Sequence, residues 1–282
     1  MKIAFILTRH SATRPSPIMP EVMRLLADWG VDVDTIYPEE QLTNLAHMRV
    51  EHDLYVLKSG TELALSLAGV LHVAGAKILN PYPVAETLRD KIMTSYILQA
   101  AGVPTPNAFV TADEKQLVHL LDHGPLVIKP YRGSQGRGVR VVRDAAELNT
   151  AAKDDEEFMF IQRYHEPQGL DKKIYVIGGQ VFGVQRVWPP KTYEDKLGAP
   201  FTITPELHEI AIQCGQAFGI DLYGFDVIEN NGHPYVVDMS GFPGFKGVPD
   251  AALRLADYIY TAGERVLSGD TLFPAMRREV SV

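Results

Sequence analysis

Two aspartates stand inside apolar runs near the end of the chain, in the stretch GFDVIENNGHPYVVDMS. Asp226 and Asp238 each interrupt an apolar strand pattern, and turn-forming residues join the two strands. Ser240, two residues after Asp238, shares its strand face and offers a further oxygen. Because a buried carboxylate is unfavourable without a compensating charge, these residues predict a hairpin that binds a cation.

The loop length of this hairpin decides whether the two acids share a face. A two-residue turn at 231–232 pairs Asp226 with Val237 and places the carboxylates on opposite faces. A three-residue loop at 231–233 places Asp226 directly opposite Asp238, and we predict this longer loop. Adjacent like charges repel, and Mg²⁺, which prefers oxygen ligands, resolves the repulsion. Ion pairs between the aspartates and Lys or Arg are the alternative.

The second informative stretch is VIKPYRGSQGRGVRVV, which runs from Val127 to Val142. It contains one lysine, Lys129, in an apolar strand, and then a loop with more glycines than a turn needs. Glycines let the backbone lie close to a ligand and direct N–H groups at an anion. The stretch predicts a strand, a phosphate-binding loop and a second strand; a mobile surface hairpin is the alternative. The predicted ligand-binding positions in the loop are Gly133, Ser134, Gln135, Gly136 and Gly138.

These parts together predict phosphoryl-transfer chemistry. Lys129 and Lys91 are candidates for binding phosphates, the glycine loop for covering them, and the acids for holding Mg²⁺. In phosphoryl transfer, catalysis rests on positioning and on neutralising charge. The sequence has neither a Walker-A motif nor a kinase catalytic-loop signature, so another phosphate-binding fold is implied.

The order of the predicted elements supports an N-terminal α/β unit followed by α+β structure. Short apolar strands alternate with helical patterns at 18–29 and 61–74, which favours a parallel sheet. A single helix is predicted from Pro83 to Gly102, before the extended VPTP connection. We predict domains at 1–102, 103–165 and 166–282.

Composition excludes several classes of function. The chain has 282 residues and a net charge of −8, which argues against nucleic-acid binding. Its one cysteine, Cys214, excludes an internal disulfide and fits a reducing compartment. We see no signal peptide and no membrane span, so a cytoplasmic protein is expected. Oligomeric state is not predicted.

The order of five motifs resembles the ATP-grasp superfamily over nearly the whole chain. The motifs are RDK before GVPTP, PLVIKPYRGSQGRGV, FIQRYH, DKKIYVIGGQVFGVQR and FDVIE…VVDMSGFPGFKGV. The resemblance implies an N-terminal parallel-sheet (pre-ATP-grasp) domain and a two-subdomain ATP-grasp fold that clamps ATP. It also implies ATP and one or two Mg²⁺ ions as cofactors.

The resemblance assigns roles to individual residues. Lys91, Lys129 and the loop from Arg132 to Gly138 would contact the phosphates of ATP. The hinge Gln162, Arg163 and Tyr164 would read adenine, with Arg163 acting through its backbone. The metal ligands would be Asp226, Asp238 and Ser240, and Lys173 and Arg186 would touch the transferred phosphate or the acceptor. The candidate rim for an anionic acceptor comprises Arg9, His10, Arg14, Lys58, Lys173, Arg186, Gly244 and Lys246.

Two branches of the superfamily remain open at this point. The glycine loop and the RDK…GVPTP stretch resemble the RimK-type carboxylate–amine ligases, which we take as the first hypothesis. Lys173, the segment Phe242-Pro243-Gly244 and aspartate at position 238 resemble the inositol-phosphate kinases of the same fold. Ser240 matches neither branch, which motivates a third hypothesis of an ATP-binding regulatory module without turnover.

Overall fold

The computed structural model of the protein describes residues 1–8, 18–133, 138–150, 157–187 and 192–273. The strands of these residues form three sheets. The first sheet is parallel, with strand order β2-β1-β3-β4, and it confirms the predicted N-terminal α/β unit. Its strands are β1 (Lys2–Leu7), β2 (Asp32–Ile36), β3 (Leu54–Lys58) and β4 (Ile78–Leu79). The helices of this part are α1 (Ile18–Asp28), α2 (Glu62–Val73), α3 (Tyr82–Thr87) and α4 (Lys91–Ala100).

The segment predicted as one helix from Pro83 to Gly102 is two helices, α3 and α4. The break comes at Asp90, whose side chain accepts hydrogen bonds from the N–H groups of Ile92 and Met93. An aspartate in this N-cap position starts a new helix because it satisfies free backbone donors. The break places Lys91 at the first position of α4.

The second sheet is antiparallel, with strand order β5-β8-β6-β7. Its strands are β5 (Ala108–Thr111), β6 (Leu126–Lys129), β7 (Arg140–Val142) and β8 (Met159–Arg163), with helices α5 (Val118–Leu121) and α6 (Ala145–Thr150). One face of the sheet packs on its helices through a small core that includes Leu117, Ile128 and Ile161.

The third sheet is also antiparallel, with strand order β11-β10-β9-β12-β13. Its strands are β9 (Asp171–Ile177), β10 (Gln180–Arg186), β11 (Ala199–Phe201), β12 (Leu222–Asn230) and β13 (His233–Ser240). The helices of this part are α7 (Tyr193–Leu197), α8 (Pro205–Phe218) and α9 (Ala251–Leu267). In α8 lies Cys214, which is buried and free of any disulfide.

One hydrophobic core joins the first and third sheets. It contains Phe5 of β1, Tyr175 of β9, Leu222 of β12 and Ile259 of α9, all buried. Helix α9 packs beside α1, and the Trp29 and Tyr260 rings meet edge to face with centroids 5.9 Å apart. The parallel sheet is thereby fixed against the sheet that carries the two aspartates. The predicted domain boundaries at residues 102 and 165 fall between the segments that form the three sheets. The division into three domains stays a prediction.

Within the described residues, no helix is both long enough and apolar enough to cross a membrane.

Candidate active site

The two aspartates lie directly opposite each other on neighbouring strands, as predicted. Asp226 of β12 pairs with Asp238 of β13, so both side chains stand on one face of the third sheet. The predicted reason was wrong, however. Asn230 pairs with His233, so the turn has two residues, both with positive φ as a type I′ turn requires.

A β-bulge produces the pairing that the short turn alone excludes. Val227 pairs with Val236, whereas Asp226 pairs with Asp238, which leaves Val237 as the extra residue. A bulge shifts the register by one residue and so moves the following side chains to the other face. Without it, the two carboxylates would point away from each other.

Asp226 is also part of a row that crosses three strands. Lys173 of β9 is its other cross-strand partner, and the Lys173 ammonium lies 2.7 Å from the Asp226 carboxylate. The Arg186 guanidinium lies 3.7 Å from the same carboxylate. The ion pairs raised as the alternative for the aspartates are therefore present at Asp226.

Asp238 differs, because the described residues provide no ion pair for it. Its side chain accepts a hydrogen bond from the Met239 backbone N–H at 3.1 Å. Burial raises the pKa of Asp238, and the negative charge of Asp226 adds to this, while Lys91 and Lys129 oppose it. An incompletely compensated acid beside a second acid suits a divalent cation.

Asp171 belongs to this site although the sequence reasoning did not select it. It pairs with Arg186 across β9 and β10, with guanidinium and carboxylate 3.1 Å apart. Burial raises the pKa of Asp171, and Asp226 adds to that rise while Arg186 opposes it. Its position two residues before Lys173, on the same strand face, was the signal available in the sequence.

Lys129 reaches the acid pair from the second sheet. Its ammonium donates a hydrogen bond of 3.1 Å to the carbonyl of Val237, the bulged residue. Burial lowers the pKa of Lys129 to about 8, although the nearby Asp238 carboxylate opposes the effect. Lys91, at the start of α4, donates to the carbonyl of Gly133 at 2.7 Å. Both predicted phosphate-binding lysines thus lie at the gap between the second and third sheets.

The glycine loop lies only partly within the described residues. Ser134, Gln135 and Gly136 are outside them, so the structure does not describe their predicted role. Gly138 has φ +71°, and an added Cβ would meet Pro130 at 2.7 Å, so only glycine fits there. At the start of the loop, Arg132 forms ion pairs with Glu62 of α2 and Glu86 of α3.

The predicted hinge lies at the end of β8. Arg163 directs its guanidinium at the carbonyls of Leu120 and Gly124, so its side chain braces the second sheet. The Arg163 and Tyr164 N–H groups donate to the carbonyls of Asn107 and Pro125. Gln162 is buried, and its side chain approaches the Ser95 hydroxyl at 3.5 Å.

The predicted acceptor residues divide into two groups. Arg9, His10 and Arg14 lie outside the described residues. Lys58, at the end of β3, donates a hydrogen bond of 2.7 Å to the Phe242 carbonyl, and so reaches the segment that follows β13. Gly244 lies two residues further on, where an added Cβ would be 3.7 Å from the Lys246 side chain. Ser240 pairs with Gly224 at the end of the hairpin.

Asn80 is a second residue that the sequence reasoning missed. Its buried side-chain amide donates to the carbonyls of Leu222, at 2.6 Å, and Gly241. Asn80 follows β4 directly and therefore connects the parallel sheet to both strands of the aspartate hairpin. In the sequence, Asn80 is a polar residue at the end of a predicted strand, and this position does not indicate which residues it contacts.

The described residues contain no group of three or more His, Cys, Asp or Glu side chains that would hold a metal ion alone. Two carboxylates and a hydroxyl nevertheless suit Mg²⁺, because this ion is commonly held by one or two carboxylates together with substrate phosphates. Lys129 and Lys91 approach the same place and suit those phosphates. The residues present therefore fit a Mg²⁺–nucleotide complex.

Comparison with known proteins assigns the family. The model of the RimK-like ATP-grasp domain matches residues 88–259, well over half of the chain. The chain belongs to the RimK-like ATP-grasp family. Members of this family use ATP, generally with Mg²⁺. This membership confirms the predicted superfamily and its ligase branch.

Two curated relatives and one solved structure agree with this assignment. The alpha-aminoadipate–LysW ligase LysX of Saccharolobus solfataricus is 26% identical over 235 residues, covering 77% of this chain and 86% of LysX. A ribosomal protein bS6–L-glutamate ligase of Escherichia coli O139:H28 is 27% identical over 214 residues, covering 70% of this chain and 71% of that ligase. The crystal structure of a RimK domain protein from Sphaerobacter thermophilus has a TM-score of 0.72 at 19% identity, covering 92% of this chain and 100% of that one.

These comparisons decide between the branches left open by the sequence. Both relatives are ligases, and the solved structure shows the same fold. This RimK-like protein is an ATP-dependent carboxylate–amine ligase, which confirms the first hypothesis over the kinase.

Proposed function

We propose that this ligase activates a carboxylate with Mg-ATP, as an acyl phosphate, and joins it to an amine. The observation that carries the proposal is the row Lys173, Asp226 and Asp238 on one face of the third sheet, with Lys129 facing it from the second sheet. This arrangement combines oxygen ligands for a divalent ion with cations for phosphate oxygens. Phosphoryl transfer needs both.

ATP is placed between the second and third sheets in this proposal. Lys91 and Lys129 bind its phosphates, because the hydrogen bonds that the two ammonium groups donate within the described residues go to backbone carbonyls, which an anion replaces favourably. The loop from Arg132 to Gly138 covers the phosphates, and the hinge from Gln162 to Tyr164 lies beside the adenine. The two sheets then form the proposed subdomains at 103–165 and 166–282.

Asp226 and Asp238 would hold Mg²⁺, with Ser240 as a further oxygen. One or two ions bound there would supply neutralisation of the phosphate charge. Lys173 orients Asp226, since their ion pair is only partly exposed, with side-chain exposures of 15% and 23%.

The proposed reaction has two steps. A carboxylate oxygen of the acceptor attacks the γ-phosphorus, the bond to the β–γ bridging oxygen breaks, and ADP leaves. The amine nitrogen then attacks the acyl carbon, phosphate leaves with the electron pair of the C–O bond, and the nitrogen loses a proton. Lys173 and Arg186 stabilise the negative charge on the transferred phosphoryl group, because both cations lie beside Asp226.

The acceptor carboxylate is proposed to belong to an amino acid or a small peptide. The names of the two curated relatives support this class, since one ligates alpha-aminoadipate with LysW and the other bS6 with L-glutamate. The chain covers 86% and 71% of their lengths.

Trapping of the acyl phosphate tests the proposal. The full chain is incubated with Mg-ATP, hydroxylamine and pools of amino acids or dipeptides, and ADP and hydroxamate are measured. We expect at least one pool to give ADP and hydroxamate in equal amounts. ADP formation with phosphorylated polyols alone, without hydroxamate, would instead indicate the kinase reaction. Nucleotide binding without ADP from any pool would indicate the regulatory module.

A further inference from the structure

A network of alternating charges joins the base of the glycine loop to the N-terminal α/β unit. Arg132, three residues after β6, directs its two terminal nitrogens at two different acids. One nitrogen lies 3.1 Å from the Glu62 carboxylate of α2, and the other lies 2.6 Å from the Glu86 carboxylate of α3. The second oxygen of Glu62 accepts a hydrogen bond of 2.6 Å from Arg89, which follows α3. These two arginines and two glutamates, here called the Arg132 network, therefore cross from the N-terminal unit to the second sheet.

Both acids of the network stand on helices that pack within the N-terminal unit. Glu62 is the first residue of α2, where Thr61 caps the helix and where the helix dipole favours an acid. Helix α2 packs on the parallel sheet, and α3 lies close against α2, since a Cβ added at Gly69 would meet the Tyr82 ring at 2.9 Å. The two carboxylates are thus held side by side. A planar guanidinium with two separate nitrogens suits such a pair better than a single ammonium does.

The same segment has two further links to the N-terminal unit, and both come from Lys91. Its backbone N–H donates to the Tyr131 carbonyl at 3.0 Å, and its ammonium donates to the Gly133 carbonyl at 2.7 Å. The proposed function gives this ammonium to the phosphates of ATP, so the bond to Gly133 is exchanged when the nucleotide binds. The ion pairs of Arg132 can persist through that exchange, because its terminal nitrogens already donate to carboxylates.

The expected size of the effect follows from the exposure of the network. A single exposed ion pair contributes little, and the Glu62 side chain is 66% exposed, but Arg132 and Glu86 are each only 32% exposed. Glycine loses more conformational freedom than other residues when it is ordered. Holding the base of a glycine-rich loop in place therefore removes part of the entropy cost that ligand binding would otherwise carry. These terms predict a change of several fold in nucleotide affinity.

We propose that Arg132 is a positioning residue for ATP: with Glu62 and Glu86 it fixes residues 131–133 to the N-terminal unit, and its side chain does not contact the phosphates. The inference rests on the proposed function, because it assigns a positioning network to that nucleotide site. It has a consequence of unexpected sign. Two glutamates with the same charge as ATP would strengthen its binding, although like charges repel.

Calorimetry of Mg-AMPPNP binding to the full chain tests this sign. The proteins are wild type, Arg132→Met, the double variant Glu62→Gln/Glu86→Gln and the triple variant that combines all three changes. Arg132→Lys is the conservative replacement. The matched control is Arg24→Met, because Arg24 also pairs with two acids, but both lie on its own helix, α1.

We expect the Kd of AMPPNP to rise about threefold to tenfold in Arg132→Met and by a similar factor in Glu62→Gln/Glu86→Gln, with Arg24→Met equal to wild type. The triple variant should bind no more weakly than Arg132→Met, because the three residues act as one unit. Arg132→Lys should lie between Arg132→Met and wild type. If Arg132→Met does not fold, the double glutamine variant carries the test.

Hydrogen exchange without nucleotide measures the attachment itself. The Lys91 amide donates to the Tyr131 carbonyl, so its exchange, followed by NMR, reports release of this segment. We expect the amide to exchange about threefold to tenfold faster in Arg132→Met and in Glu62→Gln/Glu86→Gln than in wild type. Its rate in Arg24→Met should equal that of wild type.

Three results would overturn the inference alone. These are unchanged or tighter AMPPNP binding by Glu62→Gln/Glu86→Gln, additive losses in the triple variant, or Lys91 exchange in Arg132→Met at the wild-type rate. Tighter binding by the glutamine variant would show that the acids act on the nucleotide by repulsion. Absence of AMPPNP binding by wild type would instead overturn the proposed function, and the role of the network in ATP binding with it.

Discussion

Lys173 and Lys129 approach the same pair of aspartates from different sheets, and their surroundings differ. Lys173 lies in register with Asp226, and its ammonium contacts that carboxylate at 2.7 Å. Lys129 crosses from the second sheet and donates to the Val237 carbonyl. Burial lowers the pKa of both lysines, but the charge and hydrogen bond of Asp226 outweigh it at Lys173, whose pKa is raised. At Lys129 burial prevails, and the pKa falls to about 8.

This difference indicates separate roles for the two lysines. Lys173 belongs to an ion network that is complete within one sheet, together with Asp171 and Arg186. Lys129 holds the second sheet to the third through a neutral carbonyl, which is a weaker partner than an anion. Under the proposed function, Lys173 would orient the metal ligands before any substrate binds, whereas Lys129 would respond to the phosphate of the arriving ATP.

The largest effect should follow from replacing Asp238, for which the described residues provide no ion pair. Asp238→Asn keeps the shape of the side chain but removes the charge that Mg²⁺ needs. We expect turnover, measured as ADP formation, to fall about 100-fold or more, with ATP binding largely retained through the adenine side. Asp257→Asn, on the exposed face of α9, is the control. Normal rates in Asp238→Asn would show that the metal assignment is wrong.

Removing the lysine that responds to phosphate should have the next largest effect. Lys129→Met keeps the apolar stem and deletes the charge-assisted bonds to ATP. We expect ATP affinity to weaken about tenfold to 100-fold, with a parallel loss of rate. Lys115→Met, an exposed lysine near the same sheet, should bind ATP normally. Equal affinity in both variants would contradict the contrast between Lys129 and Lys173.

The complete network predicts a stability effect at Lys173. Among the described residues, Lys173→Met leaves Asp226 an ion pair with Arg186 alone, so the free energy of unfolding should drop by about 1–3 kcal/mol. Mg²⁺ should restore part of this loss, because it takes over the compensation of Asp226. Thermal unfolding with and without Mg²⁺ measures both effects. Lys172→Met, which breaks the Lys172–Glu229 ion pair on the other face, should gain nothing from Mg²⁺; an equal gain in both variants would argue against the assignment.

The smallest effect concerns the pH dependence of stability at Lys58. Its pKa is about 8 in the folded protein and 10.5 as the ordinary value, so the unfolded chain binds more protons between these pH values. Stability should therefore rise with pH across this window, by about 1–3 kcal/mol. Below pH 8, the folded protein carries the full destabilisation that comes from burying the charged Lys58 ammonium. Chemical denaturation at pH 7.5 and 9.5 should show this gain in wild type relative to Lys58→Met, and identical pH slopes would contradict it.

The fold was largely predictable from sequence, whereas the reason for the acid pairing was not. Alternating strand and helix patterns correctly indicated the parallel sheet, because apolar periodicity reflects burial directly. Asp226 and Asp238 do face each other, but through a bulge at Val237 and not through a longer turn. The bulge has no sequence signature here, since the extra residue, Val237, is a valine like the Val236 before it.

Contacts between segments that are distant in the chain could not be predicted from the sequence either. The adenine contact expected of the Arg163 backbone stays a prediction, and the bonds of its side chain to Leu120 and Gly124 were not predicted because they depend on how the second sheet packs. Asn80 and Asp171 were missed because their partners lie on other strands. The break at Asp90 was predictable in principle, because aspartate is a strong N-cap residue.

Calorimetry of ATP binding, with and without Mg²⁺, tests most directly whether the opposed acids hold the metal beneath the nucleotide. The proteins are wild type and the double variant Asp226→Asn/Asp238→Asn, and the quantity is the ratio of the two Kd values for each. We expect Mg²⁺ to tighten ATP binding about tenfold or more in wild type and hardly at all in the double variant. The same Mg²⁺ dependence in both proteins, or none in wild type, would contradict the account.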